Sequence, residues 1–208
     1  LCWAKLTPLD ILASLIAGLV HDIGHPGFNN NFMVNSYSER ALLYNDISVL
    51  ENYHASEGFK VLINPYTNIL CKINSNELKF FRKRFIQMIL STDPVSHSKI
   101  LSLVKNKLIT NDIFEGSNVE LIITDNRQFE DQQEILNFLI SFADTGHCCK
   151  SFDIHFDWSS RLMEEFWHQG DVEKELGIPI SFLCDRKDAY VGKGQIGFIQ
   201  GIIFPGVK

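Results

Sequence analysis

The most apolar segment of the chain, from Leu9 to Val20, has the composition and length of one helix. Thr7 stands where an N-cap is expected, and Pro8 occupies the first helical position, which tolerates its missing N–H group. Pro26 and Gly27 follow as residues that break helices. The pattern therefore predicts a buried helix that ends before Pro26.

Apolar residues recur three and four positions apart in further segments, which is the spacing of one face of a helix. The stretch Ser48–Glu51 also matches the capping-box pattern that starts many helices. Strand signals are scarce, so we expect an all-α fold, a bundle of several helices in one domain over residues 1–208. The further helices are predicted to start near Ser48 and to cover Glu77–Leu90, Arg127–Ala143, Trp158–Gln169 and Gly192–Phe204.

Composition and charge narrow the class of protein. With 208 residues, of which 45% are hydrophobic and 21% charged, the chain can bury a substantial core. Its formal net charge of -6 argues against a nucleic-acid partner and gives no support for an anionic membrane surface as a partner.

Cysteine usage and apolar runs indicate the compartment. The five cysteines are irregularly spaced and form no C-x-x-C motif, which favours a reducing, cytoplasmic environment over a disulfide framework. The longest apolar run is too short to span a membrane, and no signal peptide is visible. Because the sequence begins at Leu1 without a methionine, we interpret it as a piece of a longer protein, whose other regions could attach it to a membrane.

A cluster of polar residues follows the first predicted helix, in the stretch HDIGHPGFNN that begins at His21. The helix dipole disfavours a carboxylate at Asp22 by about 0.3–1 kcal/mol. The apolar run before Asp22 indicates a partly buried position, where the cost is larger. Because a bound cation would remove both penalties, His21, Asp22 and His25 together predict metal ligands.

Asp144 repeats this arrangement, since it follows the apolar stretch ILNFLISFA at the end of another predicted helix. Two carboxylates at helix ends suit a hard divalent cation, and His21 adds a nitrogen ligand suited to zinc. A single Asp or His at a helix end is more often a cap or a surface residue. For Asp144 alone, that structural interpretation comes first.

Other polar residues have ordinary structural explanations. Glu51 can be the reciprocal half of the Ser48 capping box, and His54, three residues later on the same helical face, can be a satisfied core histidine. The cysteines Cys148 and Cys149 indicate small buried residues rather than a thiolate–metal site. The acidic pairs Glu164–Glu165 and Glu173–Glu175 are interpreted as solvated helix faces.

Six ordered blocks of the sequence resemble the class I cyclic nucleotide phosphodiesterases. The first is the H-D-x-x-H-x-G-x-x-N signature from His21 to Asn30. A His-Asp pair alone is shared with the wider HD phosphohydrolases, whereas six blocks over almost the whole chain are specific. The blocks that follow the first are YNDISVLENYH, ILSTD, FADTGH, WSSRLMEEFWHQGDVEKELGIPIS with CDRK, and GQIGFI.

The resemblance implies a partial HD-type catalytic domain, incomplete at both ends, with two divalent metal ions. The first ion, usually zinc, would be held by His21, Asp22 and Asp144. A fourth ligand would come from a His-Asn-x-x-His block that this sequence does not contain. The second ion, magnesium or manganese, would be bridged to the first through Asp22.

The resemblance also implies the reaction. His25, Glu51 and His54 match residues that order the waters around the second ion. The two ions would activate a bridging hydroxide for in-line attack on the cyclic phosphate of cyclic AMP or cyclic GMP, which yields a nucleoside 5′-monophosphate. The general acid would be a histidine of the absent block, so we expect little or no hydrolase activity from these 208 residues alone.

The resemblance further implies how the base is bound. Gln195 would donate and accept at a purine edge, and Phe198 would stack on the base. Leu162 would lie on the opposite side of the base, with Phe166 one helical turn further on. His147 stands where many relatives have an Asn that helps to choose the base, so the choice between cyclic AMP and cyclic GMP stays open. Without the resemblance, these apolar residues are interpreted as core.

Two other functions stay open at this point. A broader HD-type nucleotide phosphohydrolase would use similar metals but would not need the block that contains Gln195 and Phe198. A degenerate, non-catalytic module that holds nucleotide or metal would account for the absent histidines, although intact His21, Asp22 and Asp144 favour an enzyme. A homodimer is compatible with the resemblance.

Overall fold

The structure is a computed structural model that describes residues 5–110, 128–187 and 190–207, with the side chains of 107–110 and 207 left out. Every regular element in these ranges is helical, which confirms the predicted all-α class. A 3-10 turn covers Gly146–Cys149, and a π-helical turn covers Ile199–Ile203. The helices are α1 (Pro8–Val20), α2 (Asn30–Asn35), α3 (Glu39–Tyr44), α4 (Val49–Ile63), α5 (Ser75–Leu90), α6 (Pro94–Thr110), α7 (Gln128–Asp144), α8 (Phe152–Leu176), α9 (Val191–Phe198) and α10 (Phe204–Val207).

The chain divides into two compact units. The first unit comprises Leu1–Ile23 and His54–Asp144, and the second comprises Gly24–Tyr53 and Thr145–Lys208. In the part of the chain that the structure describes, we find no helix with both the length and the apolar content that a membrane span requires.

The start of α1 follows the prediction. The Thr7 side chain accepts a hydrogen bond from the backbone of Asp10, and the Asp10 carboxylate accepts one from the Thr7 backbone N–H. This reciprocal capping box satisfies two donors that the first turn of a helix otherwise leaves without partners. Helix α1 therefore begins where Thr7 and Pro8 predict.

The prediction that this first helix is buried is wrong for one of its faces. Ala13 and Ala17 are fully buried, and α1 packs mainly against α5. The small alanine side chains allow this close approach, and Leu9, Leu12, Ile16 and Val20 also pack against the core. Three other large apolar side chains lie on the opposite face. The exposed residues of that face are Ile11 (49%), Leu15 (68%) and Leu19 (80%).

A buried ion pair links three helices of the first unit. The Nε of Arg84, on α5, donates to Asp10 on α1 over 2.8 Å, and both side chains are fully buried. The remaining guanidinium nitrogens donate to the Phe129 carbonyl oxygen and to the side-chain oxygens of Gln132 and Gln133, all on α7. Because every contact is to a charged or strongly polar acceptor, the buried cation is well compensated.

The second unit has a small apolar core and a buried polar network. Gln169 on α8 donates to Asn29 over 3.1 Å and to Glu173 over 2.9 Å. Glu173 also accepts hydrogen bonds from the backbone and hydroxyl of Ser181. The prediction of a solvated face is therefore wrong for Glu173, which is fully buried, whereas its predicted companion Glu175 is exposed.

Some helices begin or end at other residues than predicted, because no apolar stripe runs over their whole length. Helix α8 extends beyond the predicted Trp158–Gln169 at both ends and stops at Gly177, which adopts the left-handed conformation that glycine favours. The predicted last helix is broken by the π-helical turn. The start predicted at Arg127 lies outside the described residues. Helices α2, α3 and α6 were not predicted, and the first two are only six residues long, too short to show a period.

We expect Arg84→Ala to lower the free energy of unfolding by about 3–5 kcal/mol, because it leaves the Asp10 carboxylate buried without its cation. Urea unfolding followed by circular dichroism measures the change. The control is Arg161→Ala, which removes only an exposed pair with Asp157 and should change stability by less than about 1 kcal/mol. Similar losses in the two variants would contradict the importance of the buried network.

Candidate functional site

Three of the predicted ligands converge in the first unit. His21 follows the last residue of α1, and Asp144 is the last residue of α7. The His21 Nε2 atom lies 3.0 Å from an Asp144 carboxylate oxygen and 3.3 Å from an Asp22 carboxylate oxygen. One donor atom from each of the three residues lies within 4.8 Å of the other two, so the group can surround a single ion.

A backbone hydrogen bond fixes the orientation of the His21 ring. Its Nδ1 atom is 2.9 Å from the carbonyl oxygen of Gly18 in the last turn of α1, so Nδ1 carries the proton that is donated. The Nε2 atom then faces the carboxylates. A bond of this kind, from the other ring nitrogen to a backbone carbonyl, is the usual support of a metal-binding histidine.

His54 supports the same cluster from α4. Its side chain is almost completely buried, and its Nδ1 atom lies 2.8 Å from the carbonyl oxygen of Ile23. Its Nε2 atom points to the Asp22 carboxylate at 3.8 Å. Of the three residues predicted to act around the metals, His54 is the one that belongs to this unit.

The electrostatics of the cluster favour positive charge. Hydrogen bonding to Asp144, and secondarily to Asp22, raises the pKa of His21 to about 11. The C-termini of α1 and α7 add the partial negative charge of two helix dipoles. A site that stabilises a proton on imidazole so strongly is also one that attracts a cation.

The donor set fits a divalent ion. An ion 2.0–2.1 Å from each nitrogen or oxygen ligand places neighbouring ligands about 2.9–3.4 Å apart, in octahedral or tetrahedral geometry. The separations of 3.0 and 3.3 Å around His21 fall in this range. Two carboxylates and one imidazole, with room for further ligands, suit zinc, magnesium or manganese.

The expected burial of Asp22 is wrong. Its side chain is 60% exposed, whereas that of His21 is 21% exposed. The apolar run before Asp22 misleads because α1 exposes a large part of its apolar surface. The unfavourable helix-dipole position remains, so the gathered carboxylates, and not desolvation, favour a bound cation.

In the second unit, Asn30 and Glu51 form one hydrogen-bonded pair. The Asn30 amide donates to both Glu51 carboxylate oxygens, over 3.2 and 2.9 Å. Its carbonyl oxygen accepts from the backbone N–H of Leu50 in the first turn of α4. Asn30 therefore caps α4 from a distant part of the sequence and holds Glu51, a contact that local capping patterns could not reveal.

His25 and the glycines around it form a tight turn. The His25 Nδ1 atom accepts from the Gly27 backbone N–H over 3.1 Å, and the side chain is exposed. Gly24 adopts a φ of +70°, and a Cβ atom there would lie 3.0 Å from the Tyr53 ring. The left-handed φ and the close approach of the Tyr53 ring both favour glycine at position 24.

The second unit also contains an apolar pocket of about 570 Å³, counted to its open mouth. All five residues predicted to contact the base line it. The lining residues are His147, Leu162, Met163, Phe166, Leu183, Tyr190, Val191, Gly194, Gln195 and Phe198.

Gln195 supplies the amide of this pocket and is held by Ser159. The Ser159 hydroxyl is 3.4 Å from the Gln195 side-chain oxygen. Since a hydroxyl can donate or accept, Ser159 can hold the amide in either orientation, and the amide can therefore meet either purine edge. Ser159, Met163 and Tyr190 were not predicted, because only their positions in the fold bring them to this pocket.

The comparisons with known proteins agree on one family. The family model of 3'5'-cyclic nucleotide phosphodiesterase matches residues 2–208. A probable 3',5'-cyclic-AMP phosphodiesterase pde-4 of Caenorhabditis elegans is 39% identical over 199 residues. The 3',5'-cyclic-AMP phosphodiesterase, isoform F, of Drosophila melanogaster is 41% identical over 199 residues. In both cases the match covers 96% of this chain, which spans 29% of the length of the relative.

A solved structure supports the same assignment. The phosphodiesterase domain of the RhoPDE fusion protein from the choanoflagellate Salpingoeca rosetta superposes with a TM-score of 0.85 at 33% sequence identity. The superposition covers 97% of this chain and 61% of that domain. With the family model matched from residue 2 to residue 208, this chain belongs to the 3'5'-cyclic nucleotide phosphodiesterase family.

Proposed function

We propose that this chain is part of an enzyme that hydrolyses 3′,5′-cyclic nucleotides to nucleoside 5′-monophosphates. The observation that carries the proposal is the convergence of the Asp22 and Asp144 carboxylates on His21 Nε2, at 3.3 and 3.0 Å, in a member of this family. Because the relatives named above are cyclic-AMP phosphodiesterases, cyclic AMP is the first substrate to test.

The proposed metal ligands are His21 Nε2 and the carboxylates of Asp22 and Asp144. Zinc suits the mixed nitrogen and oxygen donors, and magnesium or manganese is the proposed second ion. When bound, such ions stabilise charge on a phosphoryl oxygen and make a water more acidic. The two carboxylates hold the cations, and the Gly18 carbonyl oxygen keeps the His21 ring turned towards them.

The surrounding residues have positioning roles in this proposal. His54 donates to the Ile23 carbonyl oxygen and thereby directs its other nitrogen to Asp22. Glu51, held by Asn30, and His25 keep their predicted role of ordering water. Protonation of the leaving 3′ oxygen is assigned to none of the described residues, since the resemblance gives that role to the His-Asn-x-x-His block.

We further propose that the apolar pocket of the second unit binds the base. Phe198 and Leu162 supply apolar faces for a flat ring, and Gln195 supplies one amide for its polar edge. A general HD-type phosphohydrolase has no need of such a pocket, which is why we favour the cyclic nucleotide reaction. The cytoplasmic location and the homodimer stay predictions.

We expect the 208-residue chain alone to show little or no turnover of cyclic AMP or cyclic GMP with added Mg²⁺ and Zn²⁺. The reason is that the sequence contains no His-Asn-x-x-His block to supply the fourth ligand and the acid. A longer form that contains such a block should be active in the same assay. Robust turnover by the short chain would contradict the assigned ligands and acid.

In an active longer form, Asp144→Ala should abolish hydrolysis and lower the bound zinc, because it removes a carboxylate from the cluster. Metal analysis after dialysis and a cyclic AMP assay measure the two effects. Glu165→Ala removes an exposed carboxylate on α8 and serves as the matched control, with both values unchanged. Equal losses in both variants would contradict the metal assignment.

Phe198→Ala should weaken binding of cyclic AMP on the order of 10–100-fold, since it removes a stacking surface worth about 1–3 kcal/mol. Equilibrium binding of a labelled cyclic nucleotide, or KM in an active longer form, measures the effect. Phe182→Ala is the control, because Phe182 is 86% exposed and does not line the pocket. An unchanged affinity in Phe198→Ala would exclude this pocket as the base site.

A further inference from the structure

A second group of side chains that could hold a metal ion lies in the second unit. His147 and His155 place their Nδ1 atoms 3.1 Å apart, and their rings are nearly parallel, with centroids 5.1 Å apart. The Cys148 sulfur lies 3.7 Å from the Nε2 atom of His147. One donor atom from each residue lies within 4.8 Å of the other two.

Two adjacent elements bring these residues together. His147 and Cys148 belong to the 3-10 turn that follows α7, and His155 lies in the first turns of α8. The 3-10 turn packs against α8. The three side chains therefore lie close together, and each is carried by a regular element. The change of chain direction between the turn and α8 brings His155 next to His147, which is eight positions earlier in the sequence.

The two cysteines of this turn are more exposed than the sequence prediction expects. Cys148 is half-buried and Cys149 is exposed, whereas both were expected to be small buried residues. Burial and the neighbouring Cys149 raise the pKa of the Cys148 thiol, so an ion that binds there must displace its proton. Transition metals bind cysteine in this way, as the thiolate.

The donor chemistry differs from that of the carboxylate cluster. Two imidazole nitrogens and one sulfur suit borderline-soft ions such as Zn²⁺ and its spectroscopic substitute Co²⁺, and they disfavour Mg²⁺. Tetrahedral zinc, with about 2.0–2.1 Å to nitrogen and about 2.3 Å to sulfur, sets nitrogen–nitrogen separations near 3.3 Å and nitrogen–sulfur separations near 3.6 Å. The separation of 3.1 Å between the Nδ1 atoms of His147 and His155 is close to the first value. The 3.7 Å contact of Cys148 is to the other ring nitrogen of His147, so for the sulfur the structure gives a ligand-atom separation within 4.8 Å.

We propose that His147, Cys148 and His155 form an additional transition-metal site, with three protein ligands and one open coordination position. The site uses a thiolate, which the cluster of His21, Asp22 and Asp144 lacks. His147 also lines the apolar pocket, so an ion bound here holds a pocket-lining ring in one orientation.

The test is a Co²⁺ titration of the reduced, metal-free 208-residue chain, monitored by absorbance. A thiolate bound to Co²⁺ produces a sulfur-to-metal charge-transfer band in the near ultraviolet, which a site of only carboxylates and imidazoles does not. We expect the band in the parent chain and in Asp144→Ala, and its loss in Cys148→Ser. His155→Asn keeps the thiol but should weaken Co²⁺ binding about tenfold or more.

Cys149→Ser is the matched control, because it removes the adjacent exposed thiol and should retain the band with unchanged affinity. Circular dichroism confirms that each variant keeps its helical content. Absence of the band in the parent chain, its persistence in Cys148→Ser, or its loss in Cys149→Ser would overturn the proposal. Activity towards cyclic nucleotides does not enter this experiment, so its outcome is independent of the proposed function.

Discussion

The buried ion pair between Arg84 and Asp10 determines how α1 and α7 are aligned, and the candidate metal centre depends on that alignment. Arg84 holds Asp10 in the first turn of α1 and Gln133 in the second turn of α7. The same number of residues separates Asp10 from His21 and Gln133 from Asp144, about 16 Å of helix at 1.5 Å per residue. Two helices held together at Asp10 and Gln133 therefore end at the same level, where His21 meets Asp144.

The meeting of two helix C-termini explains the chemistry of the cluster. Each terminus carries partial negative charge, and Asp22 and Asp144 add two carboxylates. The raised pKa of His21 shows the resulting preference for positive charge. A divalent cation is stabilised by the same negative charges and carries more positive charge than a proton. The exposed Asp22 side chain lets such an ion reach the cluster from solvent. The candidate sites of the second unit differ in chemistry from this cluster, because the pocket is apolar and the nearby histidines lie beside a thiol.

The spacing of apolar residues predicted where helices form better than it predicted which side of each helix is buried. In α8 the predicted apolar stripe contains Trp158, which is 58% exposed, whereas Gln169 and Glu173 are buried. A buried polar face is stable only because partners outside the helix, Asn29 and Ser181, complete its hydrogen bonds. Such partners leave no local mark in the sequence, so a polar residue in a helix is expected to face solvent until the fold is known.

The sequence by itself determined the all-α class, the start of α1 at Thr7 and the set of side chains able to bind a metal, because propensity, capping and motif spacing are local. The tertiary structure decided that His21 and Asp144, 123 residues apart, lie within 3.0 Å. It also decided that Asn30 caps α4 and that His155 meets Cys148. These contacts depend on which helices pack together. A periodic pattern shows which side of a helix is apolar, but it does not show which other helix that side will contact.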